Sequence, residues 1–328
     1  FWQHGTDSLQ TNRGPSIAAS TDVGLPERVG TAKKPTPPLS FNRYCRFPAP
    51  AGAKNQGGSE DRHRTLAPFH QPCIDENIMS ARSLSVLLSL LLLASTAPAH
   101  AGNGWSEVAY PLPGRPEVIG SYNAGCIVGA VALPLVGDGH QAMRLSRNRY
   151  YGHPSLIRFL ERLSQQAAAR GDRLLIGDLG QPRGGPMSSG HRSHQIGLDA
   201  DIWFLQQPRD QSLSRSDTEQ IEMPSMIRAA EGALNDSRWS SRYRDALKRA
   251  AQGREVERIF VNAIIKQALC DSETDRSWLN KVRPWWGHDA HFHIRLNCPA
   301  DSGQCQPQKP VPPGDGCDAD LANWVRDI

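Results

Sequence analysis

An α+β fold, in one domain around a central sheet, is what this sequence predicts, and three observations carry the prediction. Helix-like and strand-like segments mix along the chain without a regular strand–helix–strand period, which argues against a doubly wound sheet. "YGHPSLIRFLERLSQQAAARG" places Leu156, Phe159, Leu160 and Leu163 on one face of a helix, with Gly171 as its stop. "LDADIWF" alternates, with Leu198, Ala200, Ile202 and Phe204 on one side and Asp199, Asp201 and Trp203 on the other. The remaining elements follow in order. "DRLLIGDLG" (172–180) predicts a buried strand and "QPRGGPMSSG" a loop. "SRYRDALKRAAQG" predicts a helix, "ERIFVN" a strand, "AIIKQAL" a short helix and "HFHIRLNC" a final strand.

The amino-terminal third reads differently. The first methionine is Met79, and residues 1–78 are rich in Pro, Gly and charge with no sustained apolar period. Such a segment buries too little apolar surface to offset its chain entropy, so it is expected to be disordered upstream translation outside the mature protein. Residues 79–101 have the layout of a secretory signal peptide: Met79, Arg82, an apolar run from Leu84 to Ala94, then small residues with Ala99-His100-Ala101 as the cleavage site. The run is short of the roughly 20 residues that a membrane span needs. Residues 102–328 are then the mature domain, exported to the periplasm.

Charge and cysteine use agree with that division. The whole chain has 37 basic and 33 acidic residues; residues 1–101 hold ten and seven of these, so residues 102–328 carry 27 and 26, a net of +1. A near-neutral domain gives no electrostatic footprint for nucleic acid. Cys126, Cys270, Cys298, Cys305 and Cys317 form no CxxC pair, and in an oxidising compartment they read as disulfides with one thiol left over.

The chemistry gathers in two short stretches. "GHRSHQIGLDADIWF" (190–204) and "WWGHDAHFHIRL" (285–296) hold five of the eleven histidines. On the strand 291–296, His291 and His293 project to one face, suiting a metal ligand and a neighbour. His194 and Asp201, seven residues apart across the turn at Gly197, supply two more ligands. A catalytic zinc takes three ligands from His and Asp or Glu and keeps one position for water. His194, Asp201 and His293 are such a set, and His291 or His288 beside them serves in proton transfer or oxyanion stabilisation. Asp199 is the neighbouring carboxylate that alternation and spacing disfavour as a ligand. His140 and His153 lie outside the clusters and read as structural or surface residues. Trp203, Trp285 and Trp286 flank the histidines, as core packing or as a wall for substrate. No GxSxG elbow and no HExxH helix is present.

"SHQIGLDADI" with "HFHIRL" resembles the HxxxxxxD…HxH pattern of the LAS metallopeptidases (lysostaphin, D-Ala-D-Ala metallopeptidases and hedgehog). The closer match within them is the penicillin-insensitive murein endopeptidase family. It runs from about residue 121 to residue 328 and includes "RYYGHPSLIRF", "LLIGDLGQPRGG" and "KVRPWWGHDAHFHIRLNCPADS". The resemblance implies a central antiparallel sheet with zinc in a cleft. It implies hydrolysis of peptidoglycan cross-links at D-alanyl–meso-diaminopimelyl bonds, with diaminopimelyl–diaminopimelyl links as a further substrate. Position by position, His194, Asp201 and His293 match the zinc ligands, His291 matches the assisting histidine, and His191 and His288 match site-lining histidines. Family pairing implies disulfides Cys270–Cys317 and Cys298–Cys305 and leaves Cys126 unpaired, its family partner lying in an extension beyond residue 328. The same residues also admit a D,D-carboxypeptidase acting on stem peptides, or a non-catalytic wall-binding module with structural zinc.

Overall fold

The computed structural model describes Cys45, residues 103–188 and residues 190–328. Residues 79–101, and residues 1–78 apart from Cys45, lie outside the described residues. Among the described residues no helix is long and apolar enough to cross a membrane.

Two sheets frame the site. A three-stranded sheet pairs β1 (Glu117–Ser121) antiparallel with β2 (Ala124–Val128). The larger sheet begins with the short strands β3 (Val136–Gly137) and β4 (His140–Ala142). It continues through β5 (Asp172–Ile176), β6 (Asp199–Trp203) and β7 (Gln207–Pro208). Its last three strands are β8 (Val256–Val261), β9 (Val282–Pro284) and β10 (His291–Leu296). A final short strand, β11 (Gln304–Cys305), joins β1 in parallel. The large sheet has the order β9-β8-β10-β6-β5-β4-β3, with β7 on β5. Its middle four strands are antiparallel, as the resemblance implies, but β8 with β9 and β4 with β5 run parallel, so the whole sheet is mixed.

The central pair explains why the site forms where it does. β10 faces β6 with His291 opposite Trp203, His293 opposite Asp201 and Arg295 opposite Asp199. Because side chains alternate, this register puts every site side chain of both strands on one face. The other face is apolar: Ala200, Ile202, Phe292, Ile294 and Leu296 are almost wholly buried. Burial of each large side chain there contributes roughly 1.5–3 kcal/mol, so a one-residue slip of either strand would forfeit the core and the site together.

Helices α1 (Pro154–Ala168) and α3 (Ser241–Gln252) contribute Leu156, Leu160, Leu247 and Ala250 to the same core; the shorter α2 (Arg215–Gln220) is capped by Ser214. The α1 face is the predicted one, since Leu156, Phe159, Leu160 and Leu163 are all buried. His153 begins it: its Nδ1 accepts the backbone N–H of Ser155, and Pro154 follows at the first helical position. His140 is buried with Nε2 on the Pro134 carbonyl at 2.9 Å. Both histidines are structural rather than surface residues.

Among the described residues three disulfides close the fold. Cys270–Cys317 ties α4 (Ala263–Ser272) to the loop before α5 (Ala319–Arg326), and Cys298–Cys305 closes the loop after β10. These are the two pairs that the resemblance implies. Cys126 departs from expectation: it is not unpaired but bonded to Cys45, with Cα atoms 5.6 Å apart, inside the range a disulfide spans. Cys45 packs with Ile119, Cys126 and Val128 in a small apolar cluster. The expectation missed this partner because it placed Cys45 outside the mature chain.

Candidate metal centre

Six sequence-predicted residues meet at one place: His191, His194 and Asp201 from one stretch, His288, His291 and His293 from the other. His194 sits in the turn before β6, and two features aim it. Its backbone has φ of 65°, a left-handed conformation costly for a residue with a Cβ, and its N–H donates to Asp199 Oδ2 at 3.0 Å. The turn closes at Gly197, also at positive φ, where an added Cβ would meet Ile127 Cδ1 at 2.9 Å and His153 N at 3.0 Å.

Hydrogen bonds fix which ring nitrogens are free. His194 Nδ1 lies 2.7 Å from the Leu179 carbonyl. A carbonyl only accepts, so Nδ1 carries the proton and Nε2 presents its lone pair. That Nε2 faces Asp201 Oδ1 at 3.4 Å. Neither atom has a hydrogen-bond partner although both are buried. His293 mirrors the arrangement: Nε2–H donates to Asp199 Oδ1 at 2.8 Å, leaving Nδ1 3.8 Å from Asp201 Oδ1. His291 Nε2 is 3.6 Å from the same oxygen. His288, also at positive φ, donates Nδ1–H to the Trp286 carbonyl at 2.8 Å, and its ring centre is 4.9 Å from that of His291.

Donor atoms of His191, His194 and Asp201 all lie within 4.8 Å of one another, a group able to hold a metal ion. It shares His194 and Asp201 with the set expected from sequence and has His191 where that set has His293. His191 Nε2 is 3.1 Å from Asp178 Oδ2 and 3.5 Å from Asp201 Oδ2.

The electrostatics favour a cation. Burial would raise the carboxyl of Asp201, but His291, His194 and His191 around it hold it well below the usual carboxylate range. Burial disfavours charge on His194 too, yet Asp201 and Asp199 outweigh it and lift the imidazole above its ordinary range. For His293 burial and the nearby His194 win, and its value is pushed down to about 3. His194 Nε2 and Asp201 Oδ1 are buried without a hydrogen-bond partner, and a bound cation would satisfy both.

Two supports escaped sequence reasoning. Asp178, buried, accepts from Arg147, Arg149 and His191 and so anchors the first histidine. Its only sequence signal is its place in "GDLG", directly after the β5 strand. Asp199, set aside as a ligand, orients His293 and pairs with Arg295 Nε at 2.7 Å. The tryptophans divide: Trp203 is buried with Met143 and Leu175, whereas Trp285 and Trp286 are each 50 % exposed. Trp286 and His293 border one cleft of about 560 Å³ that also holds Tyr122, Phe260, His191 and Arg258.

The sequence matches known proteins. Residues 118–328 fit the family model described as penicillin-insensitive murein endopeptidase. A protein of that name from Klebsiella pneumoniae (strain 342) is 46 % identical over 247 residues, covering 74 % of this chain and 88 % of the relative. Another from Salmonella heidelberg (strain SL476) is 46 % identical over 241 residues, covering 73 % and 87 %. The chain belongs to the penicillin-insensitive murein endopeptidase family.

Proposed function

We propose that the chain is a zinc metalloendopeptidase that hydrolyses peptide cross-links of murein, at D-alanyl–meso-diaminopimelyl bonds and also at diaminopimelyl–diaminopimelyl links. The observation that carries the metal reading is the pair of buried, unpartnered atoms His194 Nε2 and Asp201 Oδ1. His194 Nε2, Asp201 and His293 Nδ1 would hold the ion. His293 is favoured over His191 as third ligand because its far nitrogen donates to buried Asp199, the support that metal-bound histidines characteristically have. His191 has its Nε2 on Asp178 instead, and stays at the cleft wall.

When bound, zinc lowers the pKa of a coordinated water to about 7 and polarises the scissile carbonyl. The chain's own groups do the rest. His291, partly exposed in a small pocket that it shares with Asp201 and His191, takes the proton from the attacking water and returns it to the leaving amine. His288, with Nδ1–H given to the Trp286 carbonyl, turns its Nε2 lone pair to the site as a second proton carrier. With water rather than a serine side chain as the nucleophile, the proposed reaction has no acyl-enzyme for a β-lactam to trap.

Export to the periplasm through a signal peptide at residues 79–101, with residues 102–328 as the mature domain, belongs to the same proposal. The disulfides suit an oxidising compartment.

The test uses purified cross-linked muropeptide dimers, with and without a chelator, and products resolved by mass. Chelator-sensitive conversion of dimers to monomers is expected. Loss of a terminal D-alanine would replace the reading by a D,D-carboxypeptidase, and no product from a zinc-loaded sample would leave a wall-binding module.

A further inference from the structure

Beside the metal cleft lies a second cavity of about 390 Å³, bordered by α5 and the 283–286 segment. Trp286 borders both. Trp324, on α5, lies 5.1 Å from Trp286 and 5.9 Å from Trp285 between ring centres. Phe260 connects this trio to the site, 5.6 Å from Trp285 and 5.2 Å from His293. Two neighbouring tryptophans left half exposed are unusual, because each forgoes much of the stabilisation its burial would bring. Helix α5 supports them, and Cys270–Cys317 pins the chain just before it.

The polar lining says what the platform fits. The second cavity carries Asp318, Asp320, Asp327 and Asn323 against the single cation Arg283. The metal cleft carries Arg192, Arg258 and Arg295. The two differ in sign: the metal cleft suits the carboxylates of a stem peptide, and the acidic cavity repels them. A flat aromatic face edged by carboxylates and an amide fits a neutral pyranose, whose C–H face stacks on the ring while its hydroxyls and acetamido group pair with the rim.

We infer that the cavity between Trp286 and α5 is a saccharide subsite that holds an acetamido sugar of the glycan strand while the attached peptide enters the metal cleft. This rests on the murein reading above, and the glycan is the one occupant argued for.

The test begins with binding alone. The full chain is titrated with a peptide-free N-acetylglucosamine tetramer and followed by intrinsic tryptophan fluorescence. Saturable change is expected, weakened about tenfold or more in Trp286→Ala and retained in Trp286→Phe, which keeps a flat face. Absence of saturable change, or equal affinity in Trp286→Ala checked for folding by thermal unfolding, would overturn the inference. Cleavage follows: Trp286→Ala should lose roughly tenfold more kcat/KM on glycan-bearing dimers than on glycan-free dimers, and equal losses would also overturn it. If the unaltered chain cuts neither dimer, the endopeptidase reading fails while the saccharide titration still stands or falls by itself.

Discussion

Oδ1 of Asp199 lies 2.8 Å from Nε2 of His293, so a carboxylate outside the proposed ligand set decides which face of the imidazole meets the site. The same oxygen accepts from Arg295 Nε at 2.7 Å, and the other oxygen accepts the His194 N–H. One side chain thus orients both histidines of the proposed ligand set.

Asp199→Asn should therefore weaken zinc binding by about 10–100-fold, read by competition with a chromogenic chelator. It should also destabilise the fold by roughly 3–5 kcal/mol, because Arg295 stays buried without its counter-charge. Unchanged zinc affinity in a folded Asp199→Asn variant would remove Asp199 from the support of the site.

Much of this site was legible in the sequence because strand alternation is a strict rule. Two strands with Asp199–Asp201 and His291–His293 present their polar residues on one face each, and sequence alone identifies those faces. What joins them is the pairing of β6 with β10, a contact across about ninety residues that no local pattern encodes. Asp178 was missed for the same reason: its partners Arg147, Arg149 and His191 come from other loops. The left-handed backbones of His194 and His288 were equally hidden, since histidine gives none of the warning a glycine does.

His291→Ala and His194→Ala should fail in different ways. Loss of His291 removes proton transfer, lowering kcat by about 10²–10⁴-fold with one zinc still bound. Loss of His194 removes a proposed ligand and should lower metal content as well as activity. Metal analysis of both purified variants, beside their turnover of muropeptide dimers, checks the division. Full activity in His291→Ala would exclude it from the chemistry.

Chelation should lower thermal stability as well as abolish activity. A ligand that binds only the folded chain stabilises it by mass action, about 2.7 kcal/mol at a hundredfold excess over Kd. Zinc added back should restore Tm and dimer cleavage together. Recovery of one without the other would mean that the ion which stabilises the fold is not the one that supports catalysis.

Cys126 offers a direct reading of processing. In a chain that retains Cys45 the two are joined, so denaturing alkylation without reductant should leave Cys126 unlabelled. In a chain beginning at residue 102 that partner is gone, and peptide mapping should find Cys126 alkylated. The purified protein's intact mass and its labelling at Cys126 report the same event. A product of residues 102–328 with Cys126 protected would require a partner outside this chain.

Lys266 gives the fold a pH dependence far from the metal. It is wholly buried on α4, with Nζ donating to the carbonyls of Leu279 at 2.8 Å and Asp315 at 2.6 Å. Burial, with Arg283 nearby, pushes its value down to about 7 from 10.5. Below pH 7 both folded and unfolded chains are protonated there, and the fold bears the whole cost of a buried ammonium. Between pH 7 and about 10.5 the unfolded chain binds a proton that the folded chain lacks, so raising pH favours the folded state. Above that window the effect is constant. The stability of the parent protein relative to Lys266→Met should accordingly rise across that window by up to several kcal/mol, measured by urea unfolding at a series of pH values. A difference that stays flat from pH 7 to 10 would mean that Lys266 keeps its ordinary proton affinity inside the fold, and that its two carbonyl partners outweigh its burial.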